Sequence, residues 1–227
     1  MNLSIDELAS LLEPSKLHPA FTEEELINFC VEARKHKFAT VYVLPANLEF
    51  LVKNFGNCSA KIGTGIGFPF GTHTTKTKLL ESEEAMKIGA EELDMVINIG
   101  ALKSGKYYLV ENEISQLKKL VGKKVLKVIL EVSYLNEKEI IMGTKICCAA
   151  GADYVKTGTG FGSRPTSYND IKLIKNAIDK RIKIKAAGGI KDVATLLKMY
   201  DMGVTRFGVS RGLGLIEEYE NKYYKND

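Results

Sequence analysis

Two lysines end short apolar runs that break into glycine: Lys156 in Tyr154-Val155-Lys156-Thr157-Gly158, and Lys185 in Ile182-Lys183-Ile184-Lys185-Ala186-Ala187-Gly188-Gly189. A lysine near the middle of a protein normally snorkels to water, because desolvating an unpaired ammonium is costly. If the two runs are neighbouring strands of one parallel sheet, their ammonium groups crowd each other, and like charge disfavours protonation. One amine then becomes a nucleophile. At the ordinary lysine pKa only about 0.04 % of the side chain is neutral at pH 7, whereas a value near 7 makes about half of it neutral, roughly a thousandfold gain. The chemistry this suits is Schiff-base formation with a carbonyl.

Strands must position such a pair. Apolar runs at Ala39–Leu44, Lys61–Ile66, Leu93–Ile97, Val125–Leu130, Tyr154–Lys156, Ile182–Ala186 and Arg206–Val209 read as strands. Helical spacing with good starts lies between them, at Thr22–Lys37, Thr74–Ile88, Tyr107–Leu120, Asn136–Ala150, Ser167–Asp179 and Val193–Tyr200. Gly89, Gly151 and Gly203 follow helical segments as left-handed caps. With a less regular first strand at Leu11–Ser15, eight β/α units result, and the expected fold is α/β, a single (β/α)8 TIM barrel spanning residues 1–227. An open doubly wound sheet is the competing architecture, but G-x-G-x-x-G after the first strand is absent. Residues 219–227, rich in charge and tyrosine, read as a flexible tail.

A barrel places its active site at the carboxyl ends of the strands, with alternate residues pointing inward. If Leu93, Met95 and Ile97 face the helices, Asp94, Val96 and Asn98 face inward. The same alternation turns Lys127 and Glu131, Tyr154 and Lys156, and Lys183 and Lys185 inward. Charges this numerous inside a barrel must pair. Lys127 is expected to be an ion-pair partner of Asp94 or Glu131, and Lys183 a solvated residue at the lower rim. Three glycine clusters follow the last three strands: Gly158-Thr159-Gly160-Phe161-Gly162, Gly188-Gly189 and Gly208-Val209-Ser210-Arg211-Gly212. Barrels often bind phosphate there through backbone N–H groups, and Ser210 and Arg211 would complete the anion site.

Composition narrows the remaining options. With 45% hydrophobic and 26% charged residues the chain is ordinary globular protein, and its net charge of +4 is spread without the basic stripe nucleic-acid binding needs. The four cysteines lack CxxC spacing, and His18, His36 and His73 make no metal set, so reduced thiols and no metal are expected. His36 is expected at the solvent face and His73 in a loop over the site. The acid-bearing N-terminus lacks a leader pattern and no apolar run is long enough to span a bilayer, so the expected location is the cytoplasm. A homodimer follows from the commonest symmetry.

Several ordered motifs from Ala39 to Gly212 carry a resemblance: Ile66-Gly-Phe-Pro-Phe-Gly71, Leu93-Asp-Met-Val-Ile-Asn-Ile-Gly-Ala-Leu-Lys-Ser-Gly105, Leu126-Lys-Val-Ile-Leu-Glu131, Ala149-Ala-Gly-Ala-Asp-Tyr-Val-Lys-Thr157, Thr159-Gly-Phe161 and Lys185-Ala-Ala-Gly-Gly-Ile190. The chain resembles the deoxyribose-phosphate aldolase family of class I aldolases. The resemblance implies Lys156 as the Schiff-base lysine, Lys185 as the cation that lowers its pKa, and Asp94 as the acid/base working through a water. It implies reversible cleavage of 2-deoxy-D-ribose 5-phosphate to acetaldehyde and D-glyceraldehyde 3-phosphate, without cofactor. The substrate site would include Thr159, Gly160, Gly188, Gly189, Gly208, Ser210 and Arg211.

The chain departs from the family pattern at Gly158, usually serine, at Tyr42 and Leu44, often cysteine and asparagine, and at Glu13 and Ser15, usually aspartate and threonine. Ser210-Arg211 stands where two small hydroxyl residues are frequent. These positions line the pocket mouth or the substrate hydroxyls. The family's C-terminal tyrosine would be Tyr223 or Tyr224. Two alternatives stay open: a class I aldolase for another phosphosugar, and a non-catalytic phosphosugar-binding barrel that would not need Lys156 and Lys185 together. A proton-transfer isomerase is disfavoured because no histidine ends a strand.

Overall fold

The computed structural model describes residues 3–223. Eight parallel strands close in sequence order: β1 (Leu12–Lys16), β2 (Thr40–Val43), β3 (Lys61–Ile66), β4 (Glu92–Val96), β5 (Val125–Ile129), β6 (Tyr154–Lys156), β7 (Lys183–Ala187) and β8 (Arg206–Val209), with β8 pairing β1. The helices are α1 (Ile5–Leu11), α2 (Glu23–Ala33), α3 (Pro45–Phe55), α4 (Thr75–Ile88), α5 (Ile99–Lys103), α6 (Tyr107–Val121), α7 (Glu137–Ala149), α8 (Tyr168–Ala177), α9 (Val193–Asp201) and α10 (Gly212–Tyr223). Parallel neighbours require a crossover, and each strand is followed by a helix that supplies it. The fold is a (β/α)8 barrel.

Helix starts follow local chemistry. Thr22, Thr74, Asn136 and Ser167 each accept a hydrogen bond from the backbone N–H three residues on. At Thr22, Asn136 and Ser167 the residue at that position, Glu25, Glu139 or Asp170, bonds back and closes a capping box. Helix α3 has no such signal: Leu44 makes no side-chain cap, and only Pro45, with φ pre-set and no N–H to lose, marks the start.

The apolar core lies between strands and helices. Leu93, Met95, Leu126, Val128, Val155, Ile184, Ala186 and Phe207 belong to it. Their sequence neighbours Asp94, Lys127, Lys156 and Lys185 are equally buried but lie on the barrel's inner side. Period two therefore separates oil from ions along each strand.

The C-terminal segment is not loose at Tyr219. Helix α10 carries it, the side chain is fully buried, and its hydroxyl donates to the Leu3 carbonyl (2.9 Å) while the Leu3 N–H donates to it (2.8 Å). Residues 219–223, expected as the start of a flexible tail, are helical because the Tyr219 ring faces the core, and Tyr223 stacks on that ring with centroids 4.9 Å apart. Tyr224 lies outside the described residues.

Candidate active site

Strand register sets the ionic array. Lys156 stands opposite Lys185 across β6 and β7, and Asp94 opposite Lys127 across β4 and β5. Lys156 and Lys185 donate to the same oxygen, Asp94 Oδ2, at 2.8 and 2.6 Å. The Tyr42 hydroxyl donates to Asp94 Oδ1 (2.8 Å) and accepts from Lys127 Nζ (2.5 Å). Lys127 also pairs with Glu92, and lies 3.5 Å from both Glu13 Oε1 and Asp94 Oδ1. Glu13 in turn pairs with Lys185 on one oxygen and with Arg206 Nε (3.3 Å) on the other. Carboxylates and ammonium groups thus alternate from Lys61 and Glu92 at the amino ends of the strands to Lys156 at the carboxyl end.

Burial and charge act in opposite directions along this column. Burial alone would raise Asp94, but Lys156, Lys185 and Lys127 hold its carboxyl well below the usual aspartate range. Burial would likewise neutralise Lys127, yet Glu13, Asp94 and Glu92 keep it above the ordinary lysine value. Lys156 ends on the other side. Desolvation brings it down to about 8, Asp94 opposes the fall, and Lys185 adds to it. The sequence pointed to like-charge crowding as the cause; in the folded barrel burial leads and Lys185 comes behind it. Tyr42 is pushed well above the ordinary phenol value, by burial and then by Asp94, and stays a donor.

A cavity of about 410 Å³ opens above the array at the carboxyl ends of the strands. Lys156, Lys185, Glu13 and Tyr42 reach its floor, and Thr159, Gly160, Gly188, Gly189, Gly208 and Ser210 line its wall. Asp94 lies beneath, 1% exposed and reached through the lysines. Arg211 is not brought to this wall. Its guanidinium donates to the Lys191 carbonyl (3.3 Å) and it lines a separate cavity of about 200 Å³ behind Ser210. The lysines on the wall are Lys16 and Lys191. No group of three or more His, Cys, Asp or Glu among the described residues could hold a metal ion.

A DeoC/LacD family aldolase model matches residues 13–216. The chain belongs to the DeoC/LacD aldolase family. The deoxyribose-phosphate aldolase of Caldanaerobacter subterraneus subsp. tengcongensis is 38% identical over 222 residues, 96% of each chain. The solved structure of QR15, an aldolase, superposes with a TM-score of 0.92 at 35% identity, covering 97% of this chain and 99% of that one. The tetrameric deoxyribose phosphate aldolase from Aeropyrum pernix gives a TM-score of 0.86 at 28% identity, covering 96% and 92%. This DeoC/LacD member is accordingly an aldolase, a carbon–carbon lyase acting on small phosphosugar substrates.

Within the DeoC/LacD barrel several sequence expectations change place. Glu131 is no partner of Lys127. Strand β5 ends at Ile129, and Glu131 takes a left-handed backbone (φ 55) that turns its carboxylate to the Thr159 N–H (2.9 Å) and hydroxyl (2.5 Å). Asn98 lies past the end of β4 and caps α5, accepting from the Ala101 N–H. Lys183 keeps its expected place, exposed at the first position of β7. His36 is half-buried against Phe38 (5.6 Å), His73 lies 3.8 Å from Glu81, and only His18 lines the cavity. Glu92 was missed, although extending the alternation of Asp94 back by one step points it inward; Glu13 was noticed only as a departure from the pattern.

Proposed function

We propose that Lys156 is the Schiff-base nucleophile of a class I aldolase that reversibly cleaves 2-deoxy-D-ribose 5-phosphate into acetaldehyde and D-glyceraldehyde 3-phosphate. The observation that carries this reading is an amine brought to about 8 at a cavity floor, beside a second lysine and over a buried carboxylate. The neutral amine adds to the C1 aldehyde, and the carbinolamine loses water to give an iminium whose charge Asp94 is already placed to meet. The C3 hydroxyl loses its proton, the C2–C3 bond breaks, and its electron pair passes into the iminium to form an enamine. Glyceraldehyde 3-phosphate departs. Protonation of the enamine at C2 and hydrolysis release acetaldehyde and the free lysine. Asp94 and Lys185, joined at 2.6 Å, are the pair able to move these protons through a water.

The phosphate is placed against Gly188, Gly189, Gly208 and Ser210, with Thr159 and Gly160 across from them and Lys191 as the cation; Arg211 acts on this wall through the Lys191 carbonyl. We read residues 1–227 as one domain and the chain as cytoplasmic. Supporting the latter, no helix among the described residues is long and apolar enough to cross a membrane. A homodimer is the smallest symmetric assembly compatible with an oligomeric relative. Incubation with acetaldehyde or deoxyribose 5-phosphate, borohydride reduction and peptide mapping test the chemistry. The expected result is a reduced adduct on Lys156 from both; no adduct from either refutes the reading.

A further inference from the structure

Lys156 and Lys185 are both buried, both line the cavity and both donate to Asp94 Oδ2, so their contacts with Asp94 do not distinguish them. Glu13 does. Its Oε2 pairs with Lys185 Nζ, while the Lys156 ammonium has ion-pair contact with Asp94 alone. We propose that Glu13 is a positioning residue that makes Lys156 the nucleophile, by clamping the Lys185 side chain between two carboxylates. This deepens the Schiff-base reading and rests on it.

The surroundings of Glu13 fit that task. It is completely buried, and neither carboxylate oxygen has a hydrogen bond from a backbone N–H or hydroxyl. Its partners are all cations: Lys185 on Oε2, and Lys127 (3.5 Å) and Arg206 (3.3 Å) on Oε1. A buried carboxylate without neutral donors is compensated only by such partners, so removing it leaves them short of a counter-ion. A Cβ at Gly208, opposite Glu13 on β8, would lie 2.9 Å from Ala187 Cβ and 3.2 Å from Lys185 Cε.

The groups facing Lys185 can be named strand by strand. They are Glu13 from β1, the Tyr42 ring from β2 with its centroid 4.0 Å away, Asp94 from β4, and Lys156 from β6. Lys127 from β5 and Arg206 from β8 act on it through Glu13. Lys185 Nζ thus has two carboxylates in contact and an aromatic face at close range. Lys156 has one carboxylate in contact and the Tyr42 ring at the longer distance of 5.9 Å. Glu13 reaches Lys156 only at longer range, and burial brings that amine down to about 8, poised to lose its proton.

The test is competitive trapping between the two lysines in the full chain, using acetaldehyde and borohydride from pH 6 to 9. Wild type is expected to carry the adduct on Lys156. In Glu13→Gln, Lys185 loses a carboxylate in direct contact while Lys156 loses only a longer-range one, so the share of adduct on Lys185 is expected to rise about tenfold. Glu13→Asp, which keeps the charge, should return the adduct to Lys156. An adduct confined to Lys156 in Glu13→Gln, with an unchanged pH profile, overturns the proposal even if stability falls. Should Glu13→Gln not fold, reductive methylation of wild type with formaldehyde decides: Lys156 is expected to label increasingly up to pH 9 with Lys185 unlabelled, and equal labelling overturns the proposal. A wild-type protein that folds but traps no aldehyde refutes the Schiff-base reading itself, which is a different result from a selectivity that ignores Glu13.

Discussion

The ring of Tyr42 fills the space that Gly63 leaves empty. The two residues are partners across β2 and β3, and a Cβ at position 63 would lie 2.5 Å from Tyr42 Cε1 and Cζ. The ring thereby lies across the barrel interior, where its hydroxyl joins Lys127 to Asp94 and its face receives Lys185. A backbone position without a side chain on one strand positions a phenol that orders charges from three others.

Gly63→Ala should therefore force Tyr42 out of its place. The expected cost is about 1–3 kcal/mol, the range for overpacking a dense interior, read as a lowered urea midpoint. A midpoint equal to wild type would show that the ring yields freely.

Because Lys156 is brought to about 8 and the neutral amine attacks, kcat/KM for cleavage should rise about tenfold per pH unit below pH 8 and level off above it. Lys185 contributes to lowering Lys156, so Lys185→Leu should move this acid limb to higher pH and slow imine formation. A limb that stays in place in the variant would remove Lys185 from that role.

Lys156→Ala should lower turnover by at least about 10⁴-fold, the scale on which loss of a covalent nucleophile is felt. The fold should survive, since Asp94 keeps Lys185 and Tyr42 as partners. Circular dichroism matching wild type alongside residual aldehyde release above that level would exclude Lys156 as nucleophile.

Asp94→Asn removes the counter-ion shared by three lysines and should cost about 3–5 kcal/mol near neutral pH. The sign of its pH dependence follows from the depressed carboxyl. Stabilisation by ionised Asp94 is fully present above its unfolded value of about 3.9 and is lost as pH falls below that toward the folded value. Thermal melts from pH 5 to 2 should thus fall less steeply for the variant than for wild type; parallel slopes would contradict this.

Lys191 and Arg211 separate by geometry. Lys191→Ala should raise KM for deoxyribose 5-phosphate several-fold more than for unphosphorylated deoxyribose. Arg211→Ala, acting only through the Lys191 carbonyl, should give the smaller effect. The opposite order would place Arg211 on the phosphate.

Much of this protein is determined locally and is legible in its sequence. Capping residues such as Thr22, Asn136 and Ser167 bond within one helical turn, and the alternation around Asp94, Lys127 and Lys185 repeats every two residues, so both patterns are visible without knowing the fold. Helix α3 escaped because its start has a proline and no polar cap, and Tyr219 because the partner of its hydroxyl, Leu3, lies 216 positions away. The tertiary structure alone decided who meets whom inside the barrel. Glu131 and Lys127 share a face by alternation, yet a left-handed residue beyond the strand end sends Glu131 to Thr159. Glu13, Tyr42, Asp94, Lys127 and Lys185 come from five strands, and their distances depend on the stagger at which the sheet closes on itself. Residue type and periodicity specify which side chains enter the interior; closure of the sheet specifies which oxygen each ammonium finds there, and with it which lysine can lose its proton.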